Sequence, residues 1–561
     1  MFPQRRSLPP PPRYYPTEIS DNICRSFGGY PWDKSSLKSM EIDLKKFEEL
    51  DQFASKLDTK GTIAQLVKEL VRGVKTDLEK IRTIWIWICH HIEYDVHGYK
   101  NPGSRSSNPD DVFRARKGVC AGYSSLFDNM CSIAGVRCKT VSGYGKGASY
   151  KVGQKISAGT NHAWNMVYLE ERWHLLDSTW GAGHSSMDVS TFTFCYDEFY
   201  FLTHPALFIG DHIPESADCQ LLETPLSLKQ FERSAYIRSN FYSLGLVSCQ
   251  PQTTIVEAVK GKASIQLESW KNLKFSFNLN GQDEPGILTL LDNGMKLDVY
   301  PQTTGQHVLN IYAKRGDSEG SLEHVLEYQL ECKHIDSNMK IPKCLSQPVG
   351  PSWLCEQAGL TNPSHPDPII YTEDGSFTVS FLMKQKLYFL CSLKSDEVKM
   401  TPEMENEHTL KKQTDDKVEM KVHLPKTGTY VLKIYIKPHT SENEKYNYIC
   451  NYLIICANQA VKWPKFPLLY GNWAENYELV QPLEGVLPKY TNIPFTLYIP
   501  DVAAVRVDGQ ESVPLTLSDN GYWEGMYNTA DNTELIVVIK EKNEQKVWYH
   551  LIKYNVTNQA S

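Results

Sequence analysis

The stretch Gly118-Val119-Cys120-Ala121-Gly122-Tyr123 decides the fold, together with two shorter stretches downstream of it. These are Asn161-His162-Ala163-Trp164 and Trp173-His174-Leu175-Leu176-Asp177-Ser178-Thr179-Trp180. They supply a thiol, an imidazole and a carboxylate, the groups that thiol acyl transfer requires. The thiolate attacks, the imidazole takes and returns its proton, and the carboxylate fixes the imidazole tautomer. We therefore treat Cys120, His162 and Asp177 as candidate catalytic residues.

The segment before Cys120 has helical periodicity. From about residue 41 to residue 100, apolar residues recur at spacings of three and four, which predicts helices with one buried face. Thr76 and Glu79 form a capping-box signature at the start of one such helix. A second helix is expected from Pro109, with Asn108 as its N-cap, to about residue 117, where Gly118 ends it.

A third helix is predicted to begin at Cys120. Its apolar residues lie on one face, and Gly135 is a natural stop. Cys120 is then at a helix N-terminus, where backbone N–H groups and the helix dipole favour a thiolate.

Residues 161–169 and 173–180 are apolar, aromatic-rich runs that predict an antiparallel hairpin. A turn of two or four residues centred between Glu170 and Glu171 would place Asp177 diagonal to His162 on the same face. A turn of three residues would place them on opposite faces. We predict the even turn, because it lets the carboxylate reach the imidazole.

Beyond about residue 250 the chain reads as short strands separated by turn residues, which is typical of β-sandwiches. Residues 305–314 resemble residues 428–437, and each segment is followed by a strand that ends in Cys332 or Cys456. A weaker third copy follows Ser518-Asp519-Asn520-Gly521. We therefore predict an α+β core followed by about three β-sandwich-like modules. The expected limits are a tail at 1–35, a catalytic domain at 36–249, module 1 at 250–345, module 2 with its connector at 346–462, and module 3 with its connector at 463–561.

Length and composition restrict the function classes. A chain of 561 residues is too long for one hydrophobic core, so several domains are expected. The net charge of −7 argues against a nucleic-acid partner. No apolar run approaches the roughly 20 residues of a membrane span, and the N-terminus leads into prolines instead of a signal-peptide core, so we expect a cytoplasmic protein. The 14 cysteines are scattered, which suits reduced thiols better than a disulfide framework.

The first 35 residues contain Pro9-Pro10-Pro11-Pro12 and little apolar periodicity, so a disordered or polyproline II tail is expected there. A ligand for an aromatic-groove adaptor is the alternative.

The ordered set of Gly118–Tyr123, Gly143-Tyr144, His162-Ala163-Trp164 and residues 173–179 closely resembles the core of the transglutaminase-like superfamily. The resemblance implies a papain-like α+β fold in which Cys120, His162 and Asp177 are the catalytic triad. Many family members carry an acidic residue and Tyr or Phe directly after the cysteine. Here Ala121 and Gly122 intervene before Tyr123, so the substrate cleft is expected to differ.

Further motifs extend the resemblance over residues 30 to 556. They are Tyr30-Pro31-Trp32-Asp33, residues 199–205 and Pro348-Val349-Gly350-Pro351-Ser352-Trp353, together with the β-rich C-terminal half. The whole pattern is similar to a cytoskeletal branch of the superfamily. It implies a thiol protease of muscle that works at the Z-line on filamin-type structural proteins.

Each candidate residue also has an ordinary structural interpretation. Alone, Cys120 would be read as a buried thiol, His162 as a core histidine and Asp177 as a turn cap onto Ser178 and Thr179. Their joint order favours the catalytic interpretation. Trp164 and Trp180 are expected to be packing walls that keep the imidazole dry.

Two other chemistries are disfavoured. Cys89-His90-His91 with His97 suggests zinc, but adjacent helical histidines point about 100° apart and no Cys-x-x-Cys accompanies them. A papain-type protease would place its histidine about 130 to 150 residues after the cysteine, far beyond His162. No cofactor or metal is predicted.

Three functions stay open at this point. The first is hydrolysis of a peptide or side-chain amide, with the Cys120 N–H as one oxyanion donor. The second is transglutamination, in which an amine takes the place of water. The third is a scaffold whose β-modules bind cytoskeletal partners and whose triad is idle.

Overall fold

The computed structural model describes residues 37–59, 61–156, 159–282, 285–439, 445–459, 464–542 and 547–558. The predicted tail at 1–35 and the Tyr30-Pro31-Trp32-Asp33 motif lie outside the described residues. The chain divides into two compact units. The first comprises the described part of Met1–Glu284 with Pro301–Ile335, and the second comprises the described part of Pro285–Tyr300 with Asp336–Ser561. None of the helices in these described stretches is long and apolar enough to cross a membrane.

The first unit begins with a helical layer. Its longer helices are Glu48–Lys56, Ile63–Leu70, Asp77–His91, Pro109–Ala115 and Cys120–Ile133. Short helices and 3₁₀ turns are Leu44–Phe47, Val96–Lys100, Pro102–Ser104, Ser178–Ala182, Glu198–Tyr200, Pro205–Phe208, Ala217–Gln220, Leu228–Arg233 and Ser239–Ser243.

The Asp77–His91 helix is the centre of this layer. The predicted capping box is present, since Thr76 accepts from the Glu79 N–H and the Glu79 side chain accepts from the Thr76 N–H. Nine consecutive residues from Ile81 to Cys89 are buried, so the helix is enclosed on all sides. The buried polar member, Arg82, is satisfied by bonds of 2.7 to 2.9 Å to the carboxylates of Asp51 and Glu198.

The helix before Cys120 ends earlier than predicted. It runs over Pro109–Ala115 with Asn108 as N-cap, as expected, but Arg116 adopts a left-handed conformation (φ 53°) and ends it. Lys117–Gly118 then pairs in parallel with Glu93–Tyr94. Gly118 is therefore part of a two-residue strand, and the prediction that it terminates the helix is wrong.

A four-stranded antiparallel sheet packs against the Cys120–Ile133 helix. Its strand order is Arg172–Leu176, His162–Leu169, Cys138–Gly145 and His212–Pro214. The smaller pair Gly183–Ser185 and Phe192–Phe194 forms a hairpin nearby. Because the cysteine helix lies on an antiparallel sheet, the predicted α+β arrangement of the core is confirmed.

The hairpin turn is the predicted even one. Leu169 pairs with Arg172, which leaves Glu170 and Glu171 as a two-residue turn with φ of 46° and 62°. The predicted second strand, however, ends at Leu176 instead of Trp180. Residues Ser178–Ala182 form a short helix because Asp177 caps it.

The rest of the first unit is a β-sandwich module. One sheet has the order Ile255–Ala258, Glu323–Cys332, Gly305–Arg315 and Leu273–Leu279, with Tyr236–Ile237 also paired to Glu323–Cys332. Leu246–Gln250 pairs with Ala263–Ser269. Burial alternates residue by residue along Leu273–Leu279, as expected for a strand with one face on a core.

The second unit holds the hairpin of Gly286–Leu291 and Gly294–Val299 and two further β-cores. The first core has the sheets Leu360–Thr361, Ser376–Met383, Lys417–His423, Thr409–Gln413 and Ile369–Thr372, Asn447–Cys456, Gly428–Pro438, Leu387–Lys394. The second has the sheets Glu478–Gln481, Asn492–Tyr498, Tyr522–Asn528, Thr516–Leu517 and Leu468–Leu469, Tyr549–Thr557, Glu534–Glu541, Val502–Asp508, Ser512–Pro514, with Val486–Pro488 paired to Tyr549–Thr557. The helices are Trp353–Gln357 and Pro402–His408.

The predicted repeat is a repeat of structure. Gly305 pairs with Cys332 and Gly428 pairs with Cys456, in antiparallel hairpins of the same register. Both hairpins shift register at the matching position, before Tyr312 and before Tyr435. A succession of β-sandwich modules after the α+β core is thus confirmed.

Candidate active site

Cys120 is the first residue of its helix, as predicted. Val119 is an extended N-cap residue (ψ 176°), so the chain turns sharply into the helix at the thiol. The first N–H groups of a helix lack intrahelical acceptors, and they surround Cys120 with positive partial charge. Gly122, where the sequence departs from the family pattern, lets the helix approach Val112, since a Cβ there would lie 2.9 Å from the Val112 Cγ2.

His162 is the first residue of the central strand His162–Leu169 and is buried. Its Nε2 lies 2.7 Å from Oδ2 of Asp177. The side chain of His162 and the backbone N–H of Ala163 lie beside the Cys120 thiol and lower its pKa. The structure therefore brings the three predicted residues together, in the order thiol, imidazole, carboxylate.

The two carboxylate oxygens of Asp177 make different contacts. Its Oδ1 accepts from the N–H groups of Thr179 (2.8 Å) and Trp180 (3.3 Å), which caps the Ser178–Ala182 helix. Its Oδ2 faces His162. Asp177 is therefore both a helix cap and the partner of the imidazole, because Oδ1 accepts the backbone N–H groups and Oδ2 pairs with His162.

The three groups shift one another's ionisation. Burial opposes the charge of the Cys120 thiolate, but the hydrogen bond and the charge of His162 and the Ala163 N–H lower the pKa of the thiol. Burial also disfavours the imidazolium of His162, yet Asp177 and Cys120 raise the pKa of His162 to about 10. Burial works against the Asp177 carboxylate too, and the two histidines beside it hold its pKa well below the usual range. The site favours a thiolate–imidazolium pair.

Aromatic rings enclose the imidazole, as expected for Trp164 and Trp180. The Trp180 ring stacks on His162 with centroids 5.0 Å apart and planes at 26°, and Trp164 lies 5.8 Å away. Gly145 leaves room for this arrangement. A Cβ at Gly145 would lie 3.0 Å from the Trp180 ring and 3.1 Å from the His162 ring.

Sequence reasoning missed His212 and Asp211. His212 is fully buried, its Nε2 lies 3.0 Å from the Asp177 Oδ2 already bound by His162, and its Nδ1 lies 2.6 Å from Oδ1 of Asp211. The sequence gives little indication of this pair, because a long segment without a recognisable motif separates Asp211-His212 from Asp177. The Gly143-Tyr144-Gly145 motif, whose glycines face both histidine strands, was the available clue.

The histidines considered for zinc lie elsewhere. His91 bonds the Trp87 carbonyl and stacks on the Trp87 ring, while His90 contacts Phe194 and Tyr196. His162, Asp177 and His212 do offer three ligand atoms within 4.8 Å of one another. However, the Nε2 atoms of His162 and His212 both lie at hydrogen-bond distance from Oδ2 of Asp177, so two N–H···O hydrogen bonds account for this geometry without a metal.

Comparison with known proteins follows the same division of the chain. Residues 64–178 match the transglutaminase-like superfamily, and residues 228–343 and 356–467 match the KY-like, immunoglobulin-like domain. The human kyphoscoliosis peptidase is 47% identical over 530 residues, which are 94% of this chain and 80% of that protein. The chain belongs to the kyphoscoliosis peptidase family. The mouse kyphoscoliosis peptidase matches with the same identity and coverage.

More distant relatives of the kyphoscoliosis peptidase family also match. Hillarin of Drosophila melanogaster is 26% identical over 70% of this chain and 52% of its own length. Cytokinesis protein 3 of Schizosaccharomyces pombe is 25% identical over 33% of this chain and 21% of its own length. Both identities are well below that of the two kyphoscoliosis peptidases.

Proposed function

We propose that this protein is a cysteine-type acyl-transfer enzyme, a thiol peptidase acting on cytoskeletal structural proteins, with Cys120, His162 and Asp177 as its catalytic residues. One observation carries the proposal: the buried imidazole of His162 lies beside the Cys120 thiol, whose pKa it lowers, and its Nε2 lies 2.7 Å from Asp177. A histidine bridging a thiol and a carboxylate is the arrangement of nucleophile, base and orienting group that covalent catalysis uses.

The chemistry assigns one role to each residue. The Cys120 thiolate attacks the carbonyl carbon of an amide, and the amide nitrogen leaves with a proton from the imidazolium of His162. Water then loses a proton to His162 and attacks the thioester, which releases the acid and restores the thiol. Asp177 keeps its charge throughout and stabilises the imidazolium. The Cys120 N–H, at the helix start, is the proposed oxyanion donor.

Protein transglutamination is the second candidate. It shares the thioester and differs only in the second step, where a primary amine replaces water. Membership of the transglutaminase-like superfamily over residues 64–178 favours keeping it. A scaffold without turnover is the third candidate, favoured by the immunoglobulin-like modules that occupy much of the C-terminal half.

The substrates and the location are proposed from the relatives. A cytoplasmic, cytoskeleton-associated protein fits the kinship with kyphoscoliosis peptidase and with a protein named for cytokinesis. We propose sarcomeric, filamin-type proteins at the muscle Z-line as substrates or partners, and we propose that the β-modules present them to the catalytic core. No metal or cofactor enters the proposed reaction.

A single incubation separates the three candidates. Wild-type and Cys120→Ala proteins are incubated with a muscle cytoskeletal extract and a labelled primary amine, with Cys195→Ala as the matched control because Cys195 is an exposed free thiol. Fragments that need Cys120 indicate hydrolysis, and label uptake that needs Cys120 indicates transglutamination.

The same experiment also identifies the scaffold function by its own outcome. If neither fragments nor label depend on Cys120, and the Cys120→Ala protein still binds its partners as the wild type does, the enzyme proposal is wrong. Loss of activity in the Cys195→Ala control would show that the effect is not specific to the nucleophile.

A further inference from the structure

His212 contacts Asp177 in the same way as His162 does, through its Nε2 atom and the same carboxylate oxygen. Cys138–Gly145 is the middle strand between the His162 strand and the His212 strand. His162 pairs with Gly143 and His212 pairs with Gly145, so both imidazoles project from the same face of the sheet, across a strand that has no side chains at those two positions. The two rings come within 5.2 Å of each other, with Asp177 between their Nε2 atoms.

The hydrogens of this group can be counted. Both nitrogens of His212 face carboxylate oxygens, at 3.0 Å for Asp177 and 2.6 Å for Asp211. The second oxygen of Asp211 accepts from the hydroxyl of Tyr200 at 2.9 Å. An ionised carboxylate only accepts hydrogen bonds, so two carboxylates require a hydrogen on each nitrogen of His212.

We propose that His212 is a positioning residue of the active site: as an imidazolium held between Asp211 and Asp177, it fixes the Asp177 carboxylate that orients His162. This inference rests on the proposed acyl-transfer function and extends it to a second Asp–His pair. The line of groups then alternates in charge, from the Cys120 thiolate through His162, Asp177 and His212 to Asp211.

The surroundings of His212 are suited to hold a charged ring in place. Phe208 stacks on it with centroids 4.2 Å apart, and Trp180, Trp164 and Tyr200 lie within 4.2 to 5.8 Å. The other charged groups near Asp211 are Asp197 and Lys146. The backbone N–H of Lys146 donates to the Asp211 carbonyl, and the buried Nζ of Lys146 bonds the carbonyl and the hydroxyl of Ser234. Among the described residues, the titratable groups that bear on the charge of His212 thus include Asp177, Asp211, His162, Tyr200, Lys146 and Asp197.

A charged His212 has a measurable effect on Cys120. A positive charge 5.2 Å from the His162 ring favours the thiolate and disfavours the imidazolium of His162. Removing that charge therefore moves both limbs of the pH profile of Cys120 reactivity upward, by on the order of one pH unit. A neutral His212 with a purely structural role leaves both limbs where they are.

The test measures alkylation of Cys120 by iodoacetamide against pH in wild-type, His212→Gln and Asp211→Asn proteins. The Gln amide can still donate to Asp177 but carries no charge, and Asn removes the charge that faces Nδ1. His174→Gln is the matched control, because His174 is a buried histidine of the same sheet that bonds Ser39 and the Leu169 carbonyl instead of the site. We expect both limbs to shift upward in His212→Gln and to shift upward by less in Asp211→Asn, because there His212 loses its second proton and the loss of this nearer charge outweighs that of Asp211. The limbs should be unchanged in His174→Gln. We also expect a fall of up to about 100-fold in turnover for His212→Gln, because a displaced Asp177 no longer holds the imidazole in its reactive position.

A measurement on the wild type does not depend on how the variants fold. In protein labelled with ¹⁵N-histidine, the two ring nitrogens of His212 should both carry a proton at pH 7. One unprotonated nitrogen, or unshifted limbs in a folded His212→Gln protein, would overturn the inference. If Cys120 of the wild type is not alkylated faster than Cys195 at any pH, the proposed function fails instead, so the two failures are distinguishable.

Discussion

The Nε2 of His162 lies 2.7 Å from Oδ2 of Asp177, and both side chains are buried. This contact joins the start of one strand to the cap of a short helix, and its geometry depends on the two-residue turn at Glu170-Glu171. Because the same imidazole lowers the pKa of the Cys120 thiol, changes at Asp177 are expected to reach the nucleophile.

Replacing Asp177 by Asn should reduce kcat/KM by about 10³ to 10⁴-fold, the loss seen when a triad carboxylate is neutralised. The neutral amide no longer raises the pKa of His162, so the thiolate is lost at neutral pH. Steady-state kinetics on the substrate found with the wild type measure this, with Asp188→Asn as control because Asp188 lies on the surface, where it bonds Ser186 and Ser190. Equal losses in both variants would contradict the assigned role of Asp177.

A methyl group at position 145 should disturb the imidazole without unfolding the sheet. The Cβ of Gly145→Ala would lie 3.0 Å from Trp180 and 3.1 Å from His162, so the rings must move by tenths of an ångström. We expect at least a tenfold loss of activity with a small change in melting temperature. Gly103→Ala, where a Cβ meets nothing within 4 Å, should leave activity unchanged.

The strands, turns and repeats were accessible from the sequence because they rest on local signals. The capping box at Thr76, the helix start at Cys120 and the Gly305 and Gly428 repeats all follow from patterns that span a few residues. Asp177 shows the limit of such signals. Its run of apolar neighbours reads as a strand to Trp180, but a side-chain cap ends the strand at Leu176, because the local hydrogen bonds of an aspartate compete with the ladder.

His212 could not be inferred from spacing. It meets Asp177 only because the sheet places the His212–Pro214 strand beside Cys138–Gly145, a pairing of residues far apart in the chain. A histidine after an aspartate carries no motif, and the glycines that make room for it are meaningful only once the strand order is known. Tertiary pairing, and not local propensity, assembled this part of the site.

The buried guanidinium of Arg82 should contribute strongly to the free energy of unfolding of the helical layer. Arg82→Gln breaks the bonds to Asp51 and Glu198, which costs about 3 to 5 kcal/mol, although Glu198 keeps its contacts with Lys38 and Tyr196. Hydrogen exchange of the Asp77–His91 amides should accelerate accordingly. Arg114→Gln, which removes an exposed pair with Asp111, should change the free energy of unfolding by less than about 1 kcal/mol.

The stability of the core should fall at alkaline pH because of His162. Its pKa is raised from 6.5 to about 10 in the folded protein, so the stabilisation it contributes is complete below about pH 6.5 and is lost as the pH rises through 10. The difference in melting temperature between the wild type and His162→Gln should therefore shrink between pH 6.5 and pH 10. A difference that is constant over this window would contradict the charged state of His162.

The central claim is that Cys120 reacts as a thiolate paired with the imidazolium of His162. The rate of Cys120 alkylation by iodoacetamide, followed against pH by mass spectrometry of the modified peptide, tests it most directly. The account predicts an acid limb below the ordinary thiol value of 9.0, a second limb near pH 10, and faster labelling of Cys120 than of Cys195 at pH 7. A single titration of Cys120 at pH 9 or above, unchanged by Asp177→Asn, would contradict it.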